Sequence, residues 1–213
     1  MILRLPPSRP GLRVGLYGGS FNPAHAGHRH VALTALRRLK LDRIWWLVTP
    51  GNPLKDGGDL DGVLARVAGA ARVAAHPRIA VTGFEAVTGS RYTVETLRLL
   101  KARRPDVRFV WIMGADSLRG LDRWRGWAEI LHLVPIAVID RPGFTLTSVR
   151  GRAATRFAAA RIDEAAAATL AERTPPAWVY LHGPRSTLSS TRIRAARTLG
   201  SRHALQADRQ RLS

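Results

Sequence analysis

A chain of 213 residues with 46% hydrophobic side chains can close one apolar core, which excludes an intrinsically disordered protein. The absence of cysteine excludes disulfides, thiolate metal ligands and thiol nucleophiles, while 34 Lys and Arg against 15 Asp and Glu leave a formal charge of +19. No apolar run approaches a membrane span, and Met1-Ile2-Leu3-Arg4-Leu5-Pro6-Pro7 is not a signal peptide, so a soluble cytoplasmic protein is expected.

The first strand is predicted over 13–17, and a helix over 28–40 carries Val31, Ala32, Ala35, Leu36 and Leu39 on one face. Between them lies Gly18-Gly19-Ser20-Phe21-Asn22-Pro23-Ala24-His25-Ala26-Gly27-His28. A glycine turn from strand to helix brings backbone N–H groups close to a bound anion, and the helix dipole adds positive potential. Two imidazoles three residues apart at that entrance can donate to one phosphate chain. The chemistry asked for is a nucleoside triphosphate.

Further strands are expected over 43–49, 78–82, 108–113, 136–140 and 178–182, all apolar runs. Helical segments fall between them: 60–75, one from Thr93 with Val94, Leu97 and Leu100, and one or two short ones over 118–131. The Ala- and Arg-rich stretch 147–176 reads as a helix or two, ended by Pro175-Pro176. Trp45 and Trp46, within a strand, are expected as core or sheet-face residues. Strands alternating with helices predict an α/β fold, a mostly parallel sheet with helices on both faces. Residues 1–10 and about 202–213 read as loosely held ends, giving an extension over 1–12, one domain over 13–200 and a basic tail over 201–213.

The positive charge raises nucleic-acid binding as an alternative function. Arginine is spread along the whole chain, however, and helix-turn-helix, zinc-finger and RNP patterns are missing. Attraction of small anionic substrates accounts for the same charge.

Beyond the last strand comes Ser189-Ser190-Thr191-Arg192-Ile193-Arg194. Its hydroxyls suit a helix start with outward backbone donors, and Arg194 adds a fork for phosphate oxygens. His25-Ala26-Gly27-His28 together with this segment resembles the two signatures of the H-x-G-H nucleotidyltransferase superfamily. That resemblance implies a Rossmann-like α/β/α sandwich that binds ATP. Gly18, Gly19, Ser20 and Phe21 would form its phosphate turn, and His25 and His28 would contact the ATP phosphates. Ser189, Ser190, Thr191 and Arg194 would clamp the β- and γ-phosphates from the opposite side.

Five middle segments narrow the resemblance to the nicotinate-nucleotide adenylyltransferase family. Pro50-Gly51-Asn52-Pro53-Leu54-Lys55 is similar to a P-x-x-P-x-K loop whose lysine reaches substrate phosphate. Ser90-Arg91-Tyr92-Thr93-Val94-Glu95-Thr96-Leu97 is similar to a stretch in which the residues at Tyr92 and Thr93 border the nicotinate pocket, with Thr93 also capping its helix. Gly114-Ala115-Asp116-Ser117 matches G-x-D-S, implying close nucleotide approach at Gly114 and an Asp116 that accepts from a hydroxyl or positions the site. Farther on, Trp124 stands where the family stacks a tryptophan on the pyridine ring, and Arg141-Pro142-Gly143 matches an arginine that pairs with the mononucleotide phosphate. Asn22 belongs with this acceptor side, whereas Trp127 reads as packing. Arg125 departs from the aromatic residue usual at its position, and it either pairs with the nicotinate carboxylate or points to solvent.

The implied reaction is adenylyl transfer from ATP to nicotinate mononucleotide, with Mg²⁺ bound through the ATP phosphates and no protein metal cage. Nicotinamide mononucleotide and phosphopantetheine are the alternative acceptors. A homo-oligomer is left open.

Overall fold

The computed structural model describes residues 3–50, 62–140 and 149–182. Six strands, β1 (Arg13–Gly19), β2 (Arg43–Val48), β3 (Ile79–Thr82), β4 (Arg108–Gly114), β5 (Ile136–Ile139) and β6 (Trp178–Leu181), pair in parallel in the order β3-β2-β1-β4-β5-β6. Every expected strand is present. Each reads as a continuous apolar run because a parallel sheet is covered on both faces.

The helices that cover it are α1 (Ala26–Arg38), α2 (Val63–Ala74), α3 (Glu85–Thr88), α4 (Thr93–Arg103), α5 (Ala115–Arg119), α6 (Trp127–Leu133) and α7 (Arg152–Arg156). One apolar layer joins Val14, Leu16, Trp45 and Trp111 to α4–α7 through Leu97, Leu118, Ile130 and Ala153. The other joins Ile44, Trp46, Ile112 and Val179 to α1 and α2 through Val31, Leu36, Val67 and Ala70. Successive strand side chains point to opposite faces, so the neighbours Trp45 and Trp46, both fully buried, fill different layers.

Three local expectations are corrected. Helix α1 begins at Ala26 rather than at residue 28, because His25 caps it. Helix α4 starts at Thr93, but its cap position is Tyr92 and no side chain caps it; instead the Arg91 N–H donates to Glu95 Oε2 at 3.3 Å. Within 147–176, the described α-helical residues are Val149 and those of α7. Two 3₁₀ turns follow at Ala158–Ala160 and Glu164–Glu172, the latter capped by Asp163, whose Oδ1 accepts from the Ala165 N–H at 2.7 Å. Buried Ala167 and Leu170 stand three residues apart, the repeat of a 3₁₀ turn, so packing outweighs the α-preference of alanine.

The described N-terminal residues, 3–12, are held, not loose. Thr82 Oγ1 donates to the Arg4 carbonyl at 2.8 Å, the Gly11 N–H to the Asp106 carbonyl at 2.8 Å, and Leu5 and Leu12 pack on the core. The tail 202–213 lies outside the described residues.

Two polar clusters sit within this frame. Glu164 accepts from Arg38 at 2.8 Å and from the His182 N–H at 3.0 Å, tying the end of α1 to the exit of β6. Glu85, 5% exposed, accepts from Thr96 Oγ1 at 2.6 Å, and burial pushes its carboxyl up to about 7.

The chain runs outward from β1 to β2 and β3 on one side, and from β4 to β5 and β6 on the other. Strand order reverses between β1 and β4, and the loops leaving their carboxyl ends part there. In open α/β sheets such a crevice is where ligands bind.

Candidate active site

The loop after β1 borders this crevice. Gly18 and Gly19 pair with Leu47 and Val48, and a Cβ on Gly18 would come 2.5 Å from Cη2 of Trp111 on β4. Gly18 is therefore demanded by an indole of the protein itself. Next, Phe21 adopts φ +46° and stacks on Trp46, ring centroids 4.8 Å apart and 9° from parallel. Only 2% of it is exposed, so the Phe21 side chain is committed to the core and shapes the loop from beneath. Asn22, also buried, leads into the histidines.

His25 and His28 cap α1 reciprocally. The Gly27 N–H donates to His25 Nδ1 at 3.1 Å, the His25 N–H donates to His28 Nδ1 at 3.2 Å, and the rings lie 3.8 Å apart. Nδ1 of each ring accepts at the helix start, which makes Nε2 the donor nitrogen of each. The rings stand at the start of a thirteen-residue helix whose dipole favours anions. The structure brings the two histidines together at the helix entrance, where they serve the helix.

Arg66, on α2, was not picked out by sequence reasoning. It is 3% exposed and donates to the carbonyls of Ser20 (2.8 Å), Thr49 (2.6 Å) and Pro50 (3.2 Å). The available signal was an arginine on the same helix face as Val67, Ala70 and Ala74, all of them buried.

Across the switch point, Gly114 ends β4 and holds the cap position of α5, and Asp116 lies exposed in the first turn. Beyond α5, a 3₁₀ turn at Leu121–Arg123 delivers Trp124, which meets Trp111 edge-to-face at 6.4 Å. Trp111 thereby touches both the glycine turn and Trp124. The Arg125 guanidinium lies 4.7 Å over the Tyr92 ring and 3.4 Å from Glu95. Tyr92, Thr93 and the Trp124 segment are therefore brought together, with Arg125 spent on Tyr92 and Glu95. Trp127 packs on Phe157 at 6.0 Å, as expected of a packing residue.

Lys55, Arg141, Ser189, Ser190, Thr191 and Arg194 lie outside the described residues. The strands that precede them, β2, β5 and β6, all end at the carboxyl edge of the sheet. Asp140, just past β5, accepts from the Tyr180 hydroxyl at 2.7 Å. Among the described residues no group of three or more His, Asp or Glu could hold a metal ion.

A cytidylyltransferase-like family model matches residues 16–196. A protein of Methylorubrum extorquens, named "probable nicotinate-nucleotide adenylyltransferase", is 67% identical over 86% of this chain and 99% of its own. One of the same name from Rhizobium meliloti is 54% identical over 88% of this chain and 100% of its own. Plasmodium falciparum nicotinic acid mononucleotide adenylyltransferase complexed with NaAD superposes with a TM-score of 0.65 at 18% identity, over 86% of this chain and 83% of that one, a likeness of fold. The chain belongs to the nicotinate-nucleotide adenylyltransferase family of cytidylyltransferase-like enzymes.

Proposed function

We propose that this protein transfers the adenylyl group of ATP to nicotinate mononucleotide, giving nicotinate adenine dinucleotide and pyrophosphate in NAD biosynthesis. The observation that carries this reading is the pair of imidazoles at the start of α1, beside the switch point, in a chain 67% identical to a relative of that name. A 5′-phosphate oxygen of the mononucleotide attacks the α-phosphorus of ATP in line. The bond from the α-phosphorus to the bridging oxygen breaks, and pyrophosphate leaves with that electron pair.

No protein nucleophile is required, so catalysis consists of positioning and charge stabilisation. His25 and His28 donate from Nε2 to the α- and β-phosphates. Gly18, Gly19, Ser20 and Phe21 shape the turn beneath the phosphates, and Gly114 and Asp116 receive the nucleoside. Ser189, Ser190, Thr191 and Arg194 close on the terminal phosphates, while Lys55 offsets charge on the other flank. On the acceptor side Trp124 stacks on the pyridinium, Tyr92 and Thr93 border its pocket, and Asn22 and Arg141 hold the mononucleotide. Mg²⁺ would ride on the phosphate oxygens and water, where it would neutralise charge. No helix among the described residues is long and apolar enough to cross a membrane, and a cytoplasmic location belongs to the same reading.

The test is pyrophosphate release from ATP with nicotinate or nicotinamide mononucleotide in turn. Faster release with nicotinate mononucleotide is expected. Equal rates would establish dual specificity, and no release with either acceptor would overturn the reading.

A further inference from the structure

We propose that Arg66 is a positioning residue that sets the gap between the two substrate-bearing loops; the loop assignments rest on the function proposed above. Its guanidinium is buried, and the main-chain carbonyls it reaches come from two different loops. Ser20 belongs to the loop from β1 toward His25, next to Phe21 with its positive φ. Thr49 and Pro50 start the loop from β2 that runs on to Lys55. The two strands are hydrogen-bonded neighbours, so their loops leave side by side and one planar cation can bridge them.

Burying a charge is costly unless donors and acceptors are matched, and here the match is with loop backbone. The same charge adds positive potential beneath a turn that receives phosphates. In-line transfer needs the attacking oxygen about 3–3.5 Å from phosphorus, and a misplacement of about 1 Å costs on the order of 100-fold. Arg66 touches neither reactant. It acts through Ser20 on the side that holds ATP and through Thr49 and Pro50 on the side that leads to Lys55.

The experiment uses the full-length protein with Arg66→Lys and Arg66→Ala. It measures pyrophosphate release with each substrate varied, thermal unfolding, and backbone hydrogen exchange of peptides covering 19–24 and 49–50. Arg66→Ala is expected to lower kcat/KM by about 100-fold, with KM raised for both ATP and the mononucleotide. Arg66→Lys should recover part of that loss, and both loops should exchange faster while β4 and β5 keep their protection. Wild-type kcat and KM in both variants would overturn the proposal. So would a loss that only tracks the unfolded fraction, with Lys no better than Ala and protection falling throughout the chain. If the wild-type protein releases no pyrophosphate, the function fails and exchange alone decides: faster exchange in both loops upholds the clamp, and unchanged exchange refutes it.

Discussion

Gly18→Ala tests whether the glycine turn answers to the protein interior or only to a ligand. The added methyl carbon would lie 2.5 Å from Trp111 Cη2 and 3.1 Å from Cζ2, closer than nonbonded carbons tolerate. Trp111 is 3% exposed in the middle strand region, so its indole cannot swing into solvent. Overpacking of this kind costs about 1–3 kcal/mol, which lowers the Tm of a chain this size by roughly 2–12 °C. Trp111→Phe withdraws the offending ring edge. The Trp111 Nε1–H has no hydrogen-bond partner among the described residues, so no bond seen there is lost with it. The double variant should therefore be more stable than the sum of the single changes allows, by about 1–2 kcal/mol in a thermal-unfolding cycle. Because Trp111 also supports Trp124, Gly18→Ala should raise the KM for the mononucleotide more than that for ATP. An unchanged Tm, or additivity within about 0.5 kcal/mol, would refute the reasoning.

His28→Ala should lower kcat by at least ~100-fold in steady-state assays, the size expected for a lost transition-state donor, and near-normal turnover would remove His28 from the chemistry. Trp124→Ala should raise the KM for nicotinate mononucleotide by roughly 2- to 30-fold, from a cation–π contribution of about 0.5–2 kcal/mol, and leave the KM for ATP alone. Equal shifts in both KM values would count against stacking on the pyridine ring. Glu85 takes up a proton on folding, since burial raises its carboxyl from 4.5 to about 7. Its contribution to stability is complete below 4.5 and is lost as pH rises to about 7, by about 3 kcal/mol in all. Glu85→Gln should flatten that pH dependence in denaturant titrations, and an already flat wild-type profile would contradict the burial argument.

The strands were legible because a doubly covered parallel sheet writes itself as apolar runs. Their spatial order was not, since 43–48 and 108–114 have the same character and only pairing decides which side of β1 each takes. The place of the histidine pair at the helix entrance was legible, but its reciprocal capping of α1 was hidden, because imidazole is not among the usual capping side chains. Gly18 was read as room for a ligand, whereas its nearest demand comes from an indole on a strand distant in sequence. Arg66 passed as one basic residue among many. Its burial depends on three carbonyls that the fold, not the local sequence, delivers.

The division of the core into two layers has an optical consequence. Of the six tryptophans, Trp45, Trp111, Trp124, Trp127 and Trp178 lie with one layer, and Trp46 alone lies with the other. Trp46 is also the indole against which Phe21 stacks, with the His28 ring 6.2 Å away. The sheet therefore sets one fluorophore apart beneath the glycine turn. A protein that keeps Trp46 and replaces the other five would carry an intrinsic emission probe of that turn, reporting through ring stacking and imidazole quenching rather than through turnover.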